Sequence, residues 1–196
     1  MQPRTVTELI DLLDAGARVQ YLPFWGHQPR SDGFVGAECL SQWWPAEFTL
    51  DDVSFRTAEH YMMWKKAMLF EDSAAAERIV AAETPGEAKS LGRIVCGFDE
   101  KVWDERRYAI VVAANTAKFG QHERLRDFLV NTGERVLVEA SPVDRIWGIG
   151  MTVDDPRAES PREWEGLNLL GFALMTARDR LRTAARAAGR DLPGDR

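Results

Sequence analysis

The chain is 196 residues long, 45% hydrophobic and 29% charged, with a formal net charge of −6 from 25 Lys and Arg against 31 Asp and Glu. This length favours a single domain, and the composition excludes collagen-like, disordered and disulfide-rich chains. An acidic chain is poorly suited to hold long duplex nucleic acid, which requires an extended basic face. A local basic pocket for a phosphate group remains compatible with this charge.

Residues that bind metals and segments that enter membranes are sparse. Cys39 and Cys96 form no C-x-x-C pair and the three histidines share no ligand spacing, so we expect no metal and no other cofactor. The first residues, MQPRTVTELIDLLDAG, carry acids inside their apolar stretch, unlike a signal peptide. No run approaches the ~18 apolar residues of a membrane span. We therefore expect a cytoplasmic protein, with an oligomeric state that the sequence leaves open.

The first part of the chain predicts one helix followed by short strands. Thr5 and Glu8 fit a capping box and Gly16 fits a helix end. An apolar stripe lies between them: Leu9, Ile10, Leu12 and Leu13. In residues 17–56, short β-branched or aromatic pieces alternate with Pro, Gly and Asp. This pattern predicts two to four short strands joined by loops.

From Thr57 onward the pattern becomes helical. Thr57 fits an N-cap with an acid in the first turn. Thr84, Pro85 and Glu87 give a strong start signal of the same kind, and Gly120 ends the longest of the helices. The predicted helical segments are 57–70, 73–82, 85–93, 103–119 and 122–132.

A strand, a long loop and a last helix complete the prediction. Residues 135–142 favour a strand, and 144–168 form a loop rich in Gly, Pro and Trp, of a length typical of functional or disordered segments. The last helix, over 167–189, is amphipathic at its start and basic at its end. We predict a mainly α, single compact domain with a small β element. Its parts are an N-terminal helical segment (1–20), the body of the domain (21–186) and a frayed tail (187–196).

Tryptophans in loops are the most unusual feature of the sequence. They occur as Trp25-Gly26-His27, Trp43-Trp44-Pro45 and Trp147-Gly148-Ile149-Gly150. Aromatic planes bordered by glycines suit the stacking of a flat base or a sugar face. The structural alternative is that these indoles fill the core of a small fold, where bulky aromatic residues are often buried.

An acid and an amine share one face of the helix that Thr57 begins. Glu59 and Lys66 are seven residues apart, so two turns bring them to the same face, with Met62 and Met63 between them. A carboxylate there can act as acid or base, and a desolvated amine can act as a nucleophile. The structural alternative is a dipole-favouring acid and a solvated lysine. Lys65 points about 100° away from Lys66.

A second set of polar residues lies in and after the long loop. Asp144 and the amide of Asn168 could bind ribose hydroxyls, but Asp144 could equally cap a turn and Asn168 the final helix. Arg93, near a predicted helix end, could hold a phosphate or interact with the negative pole of the helix dipole. The sequence leaves these alternatives open.

Short segments distributed through the chain form an ordered set. They are Phe24-Trp25-Gly26-His27, Ser41-Gln42-Trp43-Trp44-Pro45 with Phe48, Thr57-Ala58-Glu59-His60-Tyr61 with Lys66, Ala88 with Gly92-Arg93, Lys118-Phe119, Leu125, Thr132-Gly133, Leu137-Val138-Glu139-Ala140-Ser141, Asp144, Trp147-Gly148-Ile149-Gly150, Asn168-Leu169-Leu170-Gly171 and Leu174-Met175. Each is weakly specific alone, whereas their order and spacing together are specific. Together they resemble the NADAR (YbiA-like) superfamily over nearly the whole chain.

This resemblance implies a compact, mainly helical fold and hydrolysis of an N-glycosidic bond to a ribose. The implied substrates are ADP-ribosylated guanine in nucleic acid or the ribosylamino bond of early riboflavin-pathway intermediates. By resemblance Glu59 is the helix-borne catalytic glutamate and Lys66 the active-site lysine. The remaining implied site residues line a ribose and phosphate pocket or lie near it: Asp144, Trp147, Gly148, Asn168, Trp44 and Arg93. We add Asp144 to the predicted catalytic residues and Trp25 to the predicted substrate contacts.

Two departures and two rival functions qualify this resemblance. Ala67 stands where many members have an aromatic residue, and the loop over 151–165 is longer than in the shortest members, so a stacking wall and the substrate choice can differ.

A non-catalytic ADP-ribose or nucleotide-binding module would use the same pocket without turnover. A purely structural protein would bury the Trp-Gly loops and leave the helix face of Glu59 solvated. The expected partner is a small nucleotide-like substrate or ADP-ribosylated nucleic acid. The basic end of the last helix could touch a nucleic-acid backbone, but a solvated helix face is the favoured alternative for its arginines: Arg178, Arg180, Arg182 and Arg186.

Overall fold

Helices dominate the structure, a computed structural model that describes residues 2–29, 31 and 33–189. The described residues form seven α-helices: α1 (Val6–Asp14), α2 (Ala58–Leu69), α3 (Ser73–Ala81), α4 (Pro85–Arg93), α5 (Glu100–Gln121), α6 (Glu123–Asn131) and α7 (Leu169–Ala187). They also form four short strands: β1 (Tyr21–Phe24), β2 (Phe48–Leu50), β3 (Val53–Phe55) and β4 (Val136–Glu139). The predicted mainly α fold with a small β element is confirmed.

The described residues divide into two compact units. The first unit contains those up to Ser41 and those from Glu123 onward, and the second contains Gln42–His122. In the first unit β1 pairs with β4 in parallel, with Tyr21 opposite Val136. Helix α7 packs against β4 and α6, and its apolar face is buried from Leu170 to Met175.

The second unit is built around α2. This helix packs against α3, α4 and α5. Strands β2 and β3 form an antiparallel hairpin whose turn residues, Asp51 and Asp52, both have positive φ, as a tight two-residue turn requires. Phe48, Phe55 and Tyr61 pack as an aromatic cluster in its core.

Threonine caps begin three helices where the sequence predicts them. The Thr5 hydroxyl accepts the Glu8 N–H at 3.1 Å, and that of Thr84 accepts the Glu87 N–H at 3.2 Å. The hydroxyl of Thr57 accepts the His60 N–H at 3.4 Å. Each satisfies an N–H that has no partner within its own helix.

Three details of the prediction are wrong or lie outside the structure. Helix α5 begins earlier than predicted because the Asp99 carboxylate caps it by accepting the Val102 N–H at 2.9 Å, and it runs through Gly120. The loop over 144–168 is not structureless, since it contains two 3-10 turns, Pro156–Glu159 and Pro161–Glu163. Of the predicted tail, residues 190–196 lie outside the described residues.

The basic end of α7 is partly withdrawn from solvent. Arg178 is fully buried, and burial lowers its pKa to about 10. Its guanidinium donates to Thr132 Oγ1 at 2.7 Å and to the Arg135 carbonyl at 3.0 Å. Arg182 pairs with Glu134 at 2.6 Å. Arg178 is therefore neither part of a solvated face nor open to a nucleic-acid backbone, contrary to the expectation. Among the described residues, no helix combines the length and apolar character that crossing a bilayer demands.

Candidate functional site

The start of α2 is held by a hydrogen-bonded histidine. His60 Nε2 lies 3.2 Å from the Ala82 carbonyl and Nδ1 lies 2.8 Å from Thr57 Oγ1. Because a carbonyl only accepts, Nε2 carries the proton, and in the neutral ring Nδ1 accepts from the Thr57 hydroxyl. Burial, the largest cause, lowers the pKa of His60. A neutral imidazole therefore joins the first turn of α2 to the residue that follows α3.

This neutral histidine predicts a pH-dependent stability. Because the pKa of His60 is lower in the folded protein, the unfolded chain binds the proton at higher pH. Its stabilising contribution is complete above the ordinary histidine pKa of ~6.5 and is lost as pH falls through that value toward the folded pKa. We expect the free energy of unfolding in urea to decrease from about pH 7.5 to 5.5, and to decrease less in His60→Gln. An equal decrease in the variant would contradict this assignment.

Glu59 occupies the first turn of α2 and is 2% exposed. Its N–H donates to the Gln42 carbonyl at 3.0 Å, and its neighbours Ala58 and Met62 are buried as well. The alternative of a solvated helix-face acid is therefore wrong. A carboxylate in this setting has little water around it.

Lys66 lies two turns further along the same helix and is half-buried. Its Nζ donates to the Gly92 carbonyl at 2.8 Å and lies 4.0 Å from the centroid of the Phe98 ring. Burial lowers the pKa of the Lys66 amine, which raises the fraction of neutral, nucleophilic amine. Lys65 instead forms an ion pair with Asp51 at 2.6 Å, and the choice of Lys66 as the active-site lysine stays a prediction.

Met63 lies between Glu59 and Lys66 on one face of α2. It packs closely against α4, because a Cβ on Gly92 would come within 2.1 Å of the Met63 sulfur. The helix rise separates Glu59 from Lys66 by about 10 Å along the axis. An acid and an amine thus flank a methionine on the side of α2 that is turned to the interior.

Three of the predicted substrate contacts lie outside the long loop, and their side chains differ in exposure to solvent. Trp44 in the second unit is buried, whereas Arg93, the last residue of α4, is exposed. Trp25 in the first unit is 61% exposed. An exposed indole is available for stacking, and the core-filling alternative applies to Trp44 but not to Trp25.

Within the first unit, Asp144 closes a turn. Its Oδ1 accepts the N–H groups of Ile146 and Trp147 at 2.9 and 2.7 Å, which is the turn-capping alternative derived from the sequence. This turn sets the path of the half-buried Trp147 and the buried Gly148. A Cβ on Gly148 would lie 2.8 Å from the Glu139 carbonyl, so glycine is needed there for packing. A catalytic role for Asp144 stays a prediction.

Asn168 joins the start of α7 to β4. It is fully buried in a left-handed conformation, and its amide donates to the Leu137 carbonyl at 2.9 Å and accepts the Glu139 N–H at 3.0 Å. Its side chain makes no capping bond to α7, contrary to that alternative. Since both ends of the amide serve β4, contact between Asn168 and a ribose stays a prediction.

Main-chain carbonyls of the long loop occupy the N-terminus of α7. The N–H groups of Asn168, Leu169 and Leu170 donate to the carbonyls of Gly148, Ile146 and Trp147 at 3.0–3.2 Å. Helix N-termini often bind anions through such N–H groups. Here these groups are already engaged, and they fix the Trp147 loop instead.

Sequence reasoning missed a buried polar pair in the second unit. Gln42 and Asn115 are buried, and their side-chain amides are joined at 2.8 Å. Asn115 lies on the apolar face of α5, one turn after Val111, and a polar residue within such a face was the available signal. Among the residues described, His, Cys, Asp and Glu nowhere gather in a group that could hold a metal ion.

Comparison with known proteins agrees with the mainly α fold. The NADAR domain model matches residues 23–182, which include residues of both units. The chain therefore belongs to the NADAR domain family. Its predicted internal boundaries stay predictions.

Relatives of this chain carry enzyme names. It is 39% identical to "N-glycosidase R617" of Acanthamoeba polyphaga mimivirus over 74% of this chain and 88% of that protein. It is 34% identical to "Riboflavin biosynthesis protein PYRR, chloroplastic" of Zea mays over 67% of this chain but 20% of that protein. The NMR structure of the E. coli protein YbiA matches with a TM-score of 0.67 and 25% identity, over 91% of this chain and 93% of that one.

Proposed function

We propose that this chain hydrolyses an N-glycosidic bond between C1′ of a ribose and a base-like nitrogen. The observation that carries the proposal is that one interior face of α2 presents both the buried carboxylate of Glu59 and the half-buried amine of Lys66. Relatives named N-glycosidase support the same activity. A module that only binds ADP-ribose would not need a buried acid and an amine of lowered pKa on the same helix face.

The chemistry of the bond indicates what a carboxylate contributes. When the C1′–N bond breaks, positive charge develops on C1′ and the ring oxygen, and the departing nitrogen takes up a proton. The oxygen of water becomes bonded to C1′, and a proton of that water balances the one given to the leaving group. Glu59 either stabilises the developing charge as a carboxylate or transfers the proton.

Lys66 has two possible roles in this reaction. As an ammonium it would bind a substrate phosphate. As a neutral amine it would attack C1′ of the ring-opened sugar, so that the base leaves as a free amine and a Schiff base remains, which water then hydrolyses. Its lowered pKa, caused by burial, supports the second role.

Two substrate classes fit the proposal. One is ADP-ribosylated guanine in nucleic acid, from which ADP-ribose would be released; the other is the ribosylamino bond of riboflavin-pathway intermediates. The name of the maize relative favours the second, and the net charge of −6 disfavours long duplexes. A guanine extruded from its strand remains compatible with that charge. Trp25, Trp44, Arg93, Asp144, Trp147, Gly148 and Asn168 stay the predicted contacts.

A product assay on both substrates tests the function. We expect the protein to release free base from an aminopyrimidine ribosyl phosphate or from an ADP-ribosylated guanine oligonucleotide. Borohydride added during turnover, followed by peptide mapping, distinguishes the two roles of Lys66, because only the Schiff-base route leaves an adduct on this lysine. Binding of both substrates without release of product from either would instead identify a non-catalytic binding module.

A further inference from the structure

A line of hydrogen bonds joins α5 to the main chain of Glu59. Asn115 is fully buried, and its Nδ2 donates to Gln42 Oε1 at 2.8 Å and to the Val111 carbonyl at 2.9 Å. The main-chain carbonyl of Gln42 accepts the N–H of Glu59 at 3.0 Å. The side chain of Gln42 is thus fixed on α5 while its carbonyl is fixed on the first turn of α2.

Stability alone does not explain this amide pair. Within the described part of the chain, Gln42 Nε2 and Asn115 Oδ1 are buried without a hydrogen-bond partner. A buried amide group without a partner destabilises a fold, whereas two apolar side chains of similar shape avoid that penalty. An apolar pair of similar shape would therefore stabilise the core about as well, and what the amide pair supplies in addition is a defined location for the Gln42 carbonyl.

That location matters because of where Glu59 lies. The first N–H groups of a helix have no partner inside the helix, and in α2 the hydroxyl of Thr57 takes the N–H of His60. The N–H of Glu59 is left to Gln42. The bond that orders the main chain of Glu59 thus depends on a residue outside α2, whose side chain is fixed by Asn115.

We propose that Gln42 and Asn115 are positioning residues that hold Glu59 in the orientation needed for turnover, an inference that rests on the proposed function. They act through the main chain of Glu59 and need not touch the substrate. Catalytic groups lose rate steeply when they are displaced by a fraction of an ångström. Loss of the pair should therefore slow the reaction more than it weakens substrate binding.

The double variant Gln42→Leu/Asn115→Leu separates positioning from stability. We expect its unfolding midpoint to equal or exceed that of the wild type, because no amide is left unpaired. We expect kcat to fall at least tenfold with KM within twofold. Hydrogen exchange at the Glu59 amide should become at least tenfold faster, while exchange at the Lys66 amide, inside the same helix, stays unchanged. If the double variant does not fold, Gln42→Met takes its place with the same kinetic and exchange results expected.

Thr116→Val is the matched control. Thr116 follows Asn115 on α5, and its hydroxyl donates to the Val112 carbonyl at 2.7 Å. Removing the Thr116 hydroxyl deletes a bond from a side chain to a main-chain carbonyl of α5, as the loss of Asn115 does. This bond has no connection to Glu59. We expect kcat and Glu59 exchange within twofold of the wild type. Unchanged Glu59 exchange or unchanged kcat in the double variant, or equal losses in Thr116→Val, would overturn the inference.

The variant Glu59→Gln distinguishes failure of this inference from failure of the proposed function. If the wild type releases no base from either substrate, the proposed function fails, and if Glu59→Gln keeps full turnover, the hydrolysis stands but Glu59 has no part in it. In both cases the positioning role fails as well. The exchange data then report only whether the amide pair orders the helix start. If Glu59→Gln is inactive and the double variant turns over like the wild type, the positioning inference alone fails.

Discussion

The variant Glu59→Gln is expected to lower kcat by about 10³-fold while substrate binding stays measurable. The amide has nearly the shape of the carboxylate, so the buried site keeps its packing. It cannot carry the negative charge that stabilises C1′ and cannot exchange a proton with the departing nitrogen. Turnover measured on the substrate identified by the product assay, with binding measured separately by calorimetry, checks both parts of this expectation.

Glu87→Gln provides the control for this charge removal. Glu87 also lies in the first turn of a helix, α4, but it is exposed, and its Oε2 accepts the Glu83 N–H at 2.9 Å. A glutamine can accept the same bond, so we expect kcat to stay within twofold of the wild type. A Glu59→Gln enzyme as active as Glu87→Gln would remove Glu59 from the mechanism.

Local sequence signals predicted the starts of α1, α2 and α4 and the helix face that carries the catalytic candidates. The caps at Thr5, Thr57 and Thr84 involve residues within one turn, so their geometry follows from the sequence alone. Helical periodicity likewise separated Lys66, which turns to the interior, from Lys65, which pairs with Asp51 at the surface. Both inferences rest on distances of a few residues along one helix.

Local sequence signals do not predict contacts between segments that are far apart in the chain. The sequence spacing of Gln42 and Asn115 gives no reason to expect a hydrogen bond between them, and only the packing within the second unit creates it. The amide of Asn168 was assigned to a ribose or to a helix cap because the approach of β4 to α7 is not encoded locally. The burial of Arg178 was missed for the same reason, because an arginine near a helix end looks solvated from periodicity alone.

The order within the long loop has a similar origin. A Gly, Pro and Trp composition predicts irregular backbone, but it does not reveal which polar groups fix that backbone. Arg157 pairs with Asp155 at 2.7 Å, and Trp164 Nε1 donates to the Ala158 carbonyl at 2.9 Å. These bonds join residues inside the segment over 151–165. The segment over 151–165 is thus an ordered part of the first unit.

Gly171→Ala is expected to destabilise the protein by about 3 kcal/mol or more, although alanine is normally the better helix former. A Cβ on Gly171 would lie 2.0 Å from the Leu137 carbonyl and 2.6 Å from Asn168 Nδ2. Backbone cannot yield as a flexible side chain does, so α7 must move away from β4. That movement breaks the bond from Asn168 to Leu137 and leaves two buried polar groups unpaired. Urea unfolding of the variant and the wild type measures the difference.

Gly86→Ala should change stability in the opposite direction. Gly86 lies in the first turn of α4, where an added Cβ would meet Trp43 at 3.6 Å and Thr84 Oγ1 at 4.0 Å, both ordinary contacts. Without a clash, the same substitution reduces the entropy of the unfolded chain and stabilises the protein by roughly 0.4–1 kcal/mol. Opposite signs for the two variants would show that the contact of α7 with β4, and not helix propensity, requires glycine at 171. A Gly171→Ala protein as stable as the wild type would mean that α7 and β4 lie further apart, and Asn168 would then regain polar groups for a ligand.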